Sequence, residues 1–141
     1  VDEYPLTESP AKMLLMTDDP DGVLAVVREA QASGALPEGL SSIRGSPPFF
    51  VEMLGTGVYK GSGLAKLCER RGVAMADVVA FGDGENDVEF VRDAGLGVAM
   101  KNGRDAVKQV AGRVTARTNA EDGVAHELSM LQAEGVLPQR N

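Results

Sequence analysis

Apolar positions along this chain form short runs that are separated by stretches with helical spacing. From residue 60 onward, short apolar runs predict strands, and apolar residues recurring every three or four positions predict helices. The predicted strands cover 78–81, 96–100 and 113–115, and the predicted helices cover 61–71, 86–94, 104–111 and 121–134. Because helices regularly separate the strands, right-handed crossovers and a mainly parallel sheet are expected.

The first 56 residues follow a different pattern. An apolar run at 12–17 is followed by a helix predicted over 21–33, which ends before Gly34, and by strands at 41–44 and 49–54. This order predicts a small β-α-β-β arrangement. Gly55-Thr56-Gly57 marks the change to the alternating pattern, so we expect two structural parts, 1–56 and 57–141.

Composition and net charge argue against several classes of partner and location. The 141 residues are 43% hydrophobic, enough for a packed core, and the net charge is −7. A nucleic acid or an anionic membrane surface requires clustered Lys and Arg, so neither is expected as a partner. No apolar stretch approaches the roughly 20 residues of a membrane span. With one cysteine, Cys68, an internal disulfide is excluded and a reducing, cytoplasmic location is expected.

The most informative segment is Phe81-Gly82-Asp83-Gly84-Glu85-Asn86-Asp87. It follows a predicted buried strand and precedes a predicted helix, so Asp83 is expected at the carboxyl end of a strand, where α/β sheets bind ligands. Carboxylate oxygens suit Mg²⁺, which takes one or two protein carboxylates and completes its shell with water and phosphate oxygens. Helix capping alone would also explain Asp and Asn here. The strand-end position and the two glycines favour a metal and phosphate site.

Lys60 is the candidate cation for such a site. It lies in Val58-Tyr59-Lys60-Gly61, directly before a predicted helix, and its ammonium group could neutralise a phosphoryl group. One helix and one strand fit between Lys60 and Asp83, which would return both residues to the same sheet edge. A solvated surface lysine is the alternative interpretation.

Four segments, in this order, resemble the haloacid dehalogenase superfamily, and the closest resemblance is to its Cof-type sugar phosphatase branch. They are Gly57-Val58-Tyr59-Lys60-Gly61, Phe81-Gly82-Asp83-Gly84-Glu85-Asn86-Asp87, Ala94-Gly95-Leu96-Gly97-Val98-Ala99-Met100 and Glu121-Asp122-Gly123-Val124-Ala125. The resemblance spans about residues 45 to 131. It implies part of a doubly wound, Rossmann-like parallel core sheet in 57–141, with 1–56 as the closing part of an α/β cap.

The resemblance also implies a reaction and residue roles. The reaction is Mg²⁺-dependent hydrolysis of a phosphomonoester on a small metabolite such as a sugar phosphate, through an aspartyl-phosphate. Lys60 would hold the nucleophile and the phosphate, and Asn86 would approach the phosphoryl oxygens. Asp83 would bind Mg²⁺, and Asp87 would support the metal site directly or through another ligand. Asn102, after Ala-Met, is interpreted as a loop or helix cap.

The chain departs from the family pattern at its nucleophile. No Asp-x-Asp-Gly-Thr motif is present, so the sequence is expected to be incomplete and to have little turnover alone. Asp19 and Asp21 imitate the motif, but Pro20 favours a cap helix instead. A non-catalytic binding or interaction module is the alternative function. The phosphorylation domain of a cation-pumping ATPase shares the Gly-Asp-Gly-x-Asn-Asp turn but should also contain Asp-Lys-Thr-Gly, which is absent.

Loss of the leading core strand would leave one edge of the parallel sheet without a neighbour. Such an edge presents unpaired backbone groups to other chains. Self-association through an exposed sheet edge is therefore expected.

Overall fold

The computed structural model describes residues 11–44 and 50–138. The chain divides into two compact units, with the boundary between Tyr59 and Lys60. Part of the predicted cap segment, residues 1–10 and 45–49, lies outside the described residues, as does the carboxyl-terminal 139–141. The mixed α/β fold class predicted from the sequence is confirmed.

The first unit is an antiparallel sheet with one helix. Its elements are β1 (Lys12–Met16), α1 (Pro20–Ala32), β2 (Ser41–Arg44) and β3 (Phe50–Leu54). The strand order is β1-β3-β2, with both outer strands antiparallel to β3. Val27 of α1 packs against Val51 and Met53 of β3, and these three buried side chains form the unit's core. The unit has the predicted β-α-β-β order.

Asp19 caps the start of α1. Its Oδ1 accepts a hydrogen bond of 2.9 Å from the Gly22 N–H, and Pro20 occupies the first turn, where its missing N–H costs nothing. The carboxylate therefore satisfies a free backbone donor at the helix terminus. Asp19 and Pro20 therefore stand at the start of a helix, as Pro20 indicated in the sequence.

The second unit alternates helices with three parallel strands. Its elements are α2 (Lys60–Arg71), β4 (Val79–Gly82), α3 (Val88–Asp93), β5 (Leu96–Ala99), α4 (Asp105–Val110), β6 (Arg113–Val114) and α5 (Gly123–Ala133). The strand order is β4-β5-β6, and Phe81 lies opposite Val98 in the register. Buried Val91, Ala99 and Val107 join α3, β5 and α4 into one core.

The carboxyl ends of β4 and β5 lie side by side because the strands are parallel and in register. Gly82 pairs with Ala99, and the Met100 N–H donates to the Gly82 carbonyl at 2.9 Å. The Arg104 N–H donates to the Asp83 carbonyl at 2.9 Å. These bonds fix the loop after β4 against the loop after β5, so side chains from both loops converge at this sheet edge.

Within the described ranges, no helix is both long enough and apolar enough to span a lipid bilayer.

Candidate functional site

The turn after β4 is organised around the buried carboxylate of Asp87. Its Oδ2 accepts two hydrogen bonds, each 2.9 Å, from the backbone N–H groups of Asp83 and Gly84. Residues Glu85–Asp87 form a single 3₁₀ turn that leads into α3. The aspartate therefore closes its own loop and fixes the backbone of Asp83.

Lys60, the first residue of α2, pairs with the other oxygen of Asp87. Lys60 Nζ donates a hydrogen bond to Asp87 Oδ1, and the same ammonium group lies 5.9 Å from the centroid of the Phe90 ring. The Asp87 side chain is 5% exposed, whereas the Lys60 side chain is 51% exposed. The lysine head group thus bridges a buried anion and the solvent, and it remains accessible to a ligand.

The surroundings of Asp87 lower the pKa of its carboxyl group. Burial alone would raise this pKa, but the Lys60 hydrogen bond, the N–H groups of Gly84 and Asp83 and the positive charge of Lys60 outweigh it. Because the folded-state pKa lies below the unfolded value of about 3.9, the stabilisation is complete above that value. It is lost as the pH falls through the lower folded-state pKa.

A pocket of about 310 Å³ opens at this edge of the parallel sheet. Lys60, Asp83 and Asp87 all line it, so three of the predicted site residues are brought together. The fourth, Asn86, is exposed to solvent and is not among the residues that line this pocket. The remaining lining residues are Phe81, Gly82, Phe90, Met100, Asn119 and Val124.

Gly82 is required at the base of this pocket because two neighbouring side chains approach its backbone closely. A Cβ atom at this position would lie 2.6 Å from Asp87 Cβ and 2.7 Å from Val91 Cγ2. Both distances are shorter than carbon atoms tolerate. The glycine therefore allows Asp87 to pack directly over the end of β4.

The two carboxylates differ in how well they fit a divalent cation. Asp83 is exposed, and its carboxylate makes no hydrogen bond or ion pair with the described residues. Asp87 already uses one oxygen for Lys60 and the other for two N–H groups. No cluster of three or more His, Cys, Asp or Glu side chains suited to a metal occurs in ranges 11–44 and 50–138. The donor set suits Mg²⁺, which retains several waters beside one or two carboxylates.

Sequence reasoning missed Asn119 as a pocket residue. It lies in a 3₁₀ turn (Asn119–Glu121) ahead of α5, and its N–H donates to Asn102 Oδ1 at 3.0 Å. Asn102 thus braces a loop, as interpreted from the sequence. An isolated Asn gives little signal by itself; its place two residues before the Glu121-Asp122-Gly123 motif was the available indication.

A family model and curated relatives match this chain. The model described as haloacid dehalogenase-like hydrolase matches residues 2–128. The 5-amino-6-(5-phospho-D-ribitylamino)uracil phosphatase YitU of Bacillus subtilis is 49% identical over 83 residues, covering 59% of this chain and 30% of that protein. A phosphoglycolate phosphatase of Methanosarcina acetivorans is 39% identical over 97 residues, covering 62% and 42% of the two chains.

A solved structure of a related protein has a similar fold over most of this chain. A haloacid dehalogenase-like hydrolase from Bacteroides thetaiotaomicron superimposes with a TM-score of 0.76 at 33% identity, covering 93% of this chain and 48% of that one. The chain therefore spans less than half the length of each of these three proteins.

Proposed function

We propose, from the premise that this chain belongs to the haloacid dehalogenase-like hydrolase family, that it provides the metal-binding and phosphate-binding residues of a phosphomonoester hydrolase. The membership in the haloacid dehalogenase superfamily that the motifs predicted is confirmed. Its Cof-type branch remains our proposal. The single observation that carries the functional proposal is the pocket shared by Lys60, Asp83 and Asp87.

The charges in this pocket suit a phosphoryl group together with a cation. Two carboxylates alone would repel a phosphate dianion, so positive charge must compensate them. Lys60 contributes part of it, and the carboxylate of Asp83, which has no partner among the described residues, would bind Mg²⁺. When bound, Mg²⁺ would neutralise phosphoryl oxygens. Asp87 would act mainly by holding Lys60 and the Asp83 backbone in place.

The proposed substrate is a small phosphorylated metabolite. Two relatives are named as phosphatases of such compounds, one with a phosphoribityl group and one with phosphoglycolate. A sugar phosphate is one member of this class and remains our proposal for the natural substrate.

We propose 1–56 as part of a cap, with Asn86 reaching the phosphoryl oxygens only when a ligand is bound. We also propose a cytoplasmic location, because the single cysteine of the sequence fits a reducing compartment.

Asp83→Asn is expected to weaken Mg²⁺ binding at least tenfold, because the variant removes the ligand's negative charge, and a tenfold change corresponds to about 1.4 kcal/mol. Titration of Mg²⁺ into the ¹⁵N-labelled chain, followed at the amides of residues 82–87, measures it. Glu85→Gln is the matched control, since it neutralises an exposed carboxylate in the same turn. Equal affinities in the Asp83 and Glu85 variants would contradict the proposed metal ligand.

No aspartate of this chain is assigned as the nucleophile. The sequence contains no Asp-x-Asp-Gly-Thr, and Asp19 is engaged in capping α1. This observation also favours a second candidate, a binding module that retains the phosphate site without turnover. Release of phosphate from an aryl phosphate by the 141-residue chain, dependent on Mg²⁺ and abolished by Asp83→Asn, would exclude the module.

We also propose self-association through the free edge of β4. Among the described residues, β4 pairs only with β5, so its other edge leaves backbone groups available to a second copy. Size-exclusion chromatography with light scattering is expected to show a mass that rises with protein concentration. A monomer at every concentration up to the millimolar range would contradict this proposal.

A further inference from the structure

Several side-chain hydrogen bonds hold the loop that carries Asn119. The buried hydroxyl of Thr115 accepts from the Lys101 N–H at 2.9 Å and donates to the Arg117 carbonyl at 2.6 Å. Glu121 accepts at 2.9 Å from both the N–H and the hydroxyl of Thr118. Irregular surface segments are usually mobile. In this loop the side-chain hydrogen bonds hold the backbone in one conformation.

Asn102 completes this arrangement from the loop after β5. Its Oδ1 accepts the Asn119 N–H across 17 residues of sequence. Asn119 lines the same pocket as Lys60 and Asp83, is exposed, and makes no side-chain hydrogen bond with the described residues. The backbone of Asn119 is therefore fixed while its amide group remains available to a ligand.

From this geometry we propose that Asn119 is a further phosphate-contacting residue and that Asn102 is its positioning residue. This inference rests on the proposed function of the pocket. The pocket's charged groups are two carboxylates and one ammonium, so a neutral amide adds a donor without adding another charge. Hydrogen bonds from neutral donors to anionic oxygens are stronger than those between neutral groups. The side-chain NH₂ of Asn119 would donate to a phosphoryl oxygen.

The binding test uses inorganic phosphate in the presence of Mg²⁺, titrated into the ¹⁵N-labelled chain and followed at the amides of Asp83 and Gly84. Asn119→Ala is expected to weaken phosphate binding about tenfold, the loss typical of a hydrogen bond to a charged group. Asn119→Asp is expected to weaken it further, because a third carboxylate would repel the anion. Gln109→Ala, which removes an exposed amide from α4, should leave the affinity unchanged.

The positioning role is measured without any ligand, by hydrogen exchange of the Asn119 backbone N–H. Asn102→Ala removes the acceptor, so this N–H should exchange at least tenfold faster, whereas Asn102→Asp retains an acceptor oxygen and should restore slow exchange. A general structural role would instead accelerate exchange throughout the second unit in both variants. Unchanged exchange in Asn102→Ala would overturn the assignment of Asn102.

The outcomes separate this inference from the function on which it rests. If phosphate shifts the Asp83 amide in the wild-type chain and Asn119→Ala binds equally well, the role of Asn119 is overturned and the proposed function stands. If phosphate with Mg²⁺ shifts neither Asp83 nor Gly84 in the wild-type chain, the proposed function fails, and the role of Asn119 fails with it. If Asn119→Asp binds phosphate more tightly than Asn119→Ala, a contact through the NH₂ group is overturned.

Discussion

Replacing Gly97 with alanine is expected to destabilise the second unit by about 3 kcal/mol or more, because the added methyl group would collide with rigid backbone. Gly97 lies in β5, and a Cβ atom there would be 2.0 Å from the Val91 carbonyl oxygen of α3. Relief would require α3 to move away from the sheet. Urea denaturation followed by the methyl NMR signals of buried Val107 measures the change in free energy of unfolding.

The same substitution at Gly63 is the matched control for Gly97→Ala. Gly63 lies within α2, and an added Cβ atom would meet nothing within 4 Å. Since alanine is the better helix former, Gly63→Ala should stabilise the chain by up to about 1 kcal/mol. Opposite signs for the two changes are expected. Loss of less than about 1 kcal/mol in Gly97→Ala would contradict the tight packing of α3 on β5.

Replacing Asp87 with alanine is expected to cost about 3 kcal/mol of stability, because two backbone N–H groups lose their acceptor. Asp83 and Gly84 are the donors, and the carboxylate itself is buried. Lys60 adds little to this cost, since its half-exposed ammonium is screened by water. Asp87→Asn retains an acceptor oxygen and should lose about half as much. Urea denaturation near neutral pH, followed at Val107, measures both variants.

Two comparisons make the Asp87 prediction specific. Glu85→Ala, at an exposed carboxylate of the same turn, should change stability by less than about 0.5 kcal/mol. The cost of Asp87→Ala should also shrink as the pH falls through the lowered pKa of Asp87, because the protonated wild-type group then loses its advantage. A cost that stays constant down to pH 2 would contradict the charged role of Asp87.

The order of strands and helices in the second unit could be predicted, because the spacing of apolar residues distinguishes the two kinds of element. The alternation after residue 60 gave the parallel sheet, and it allowed Lys60 and Asp83 to be assigned to one sheet edge. The strand ends differ from the prediction by one residue, as at β4, predicted over 78–81 and observed as Val79–Gly82. The hydrogen bonds of the parallel ladder, rather than side-chain hydrophobicity, determine these ends.

In two of the predicted helices, local hydrogen bonds and backbone angles reshape the first turn, so the α-helix is shorter than predicted. The helix expected over 86–94 starts as a 3₁₀ turn, since the Asp87 carboxylate draws in the N–H groups of Asp83 and Gly84. The helix expected over 121–134 is interrupted at Asp122, whose φ of 56° is left-handed. These hydrogen bonds and this backbone angle arise only when the loops fold. The spacing of apolar residues therefore could not reveal them.

Sequence motifs mark both aspartates that line the pocket, whereas no motif marks Asn119. Asp83 and Asp87 stand four residues apart in one turn, and this spacing is visible in the sequence. Asn119 is 59 residues from Lys60 and reaches the pocket through a loop held by Asn102. No local pattern encodes that bond, because it depends on the parallel order of β5 and β6.

Each unit has a separate apolar core, one centred on Val51 and the other on Val107. Denaturation of this chain therefore need not be a single all-or-none transition, since each core can melt at its own denaturant concentration. A signal averaged over both, such as far-ultraviolet circular dichroism, would blend two midpoints and understate the effect of a mutation confined to one. Free energies for this chain are best assigned core by core, from reporters inside each.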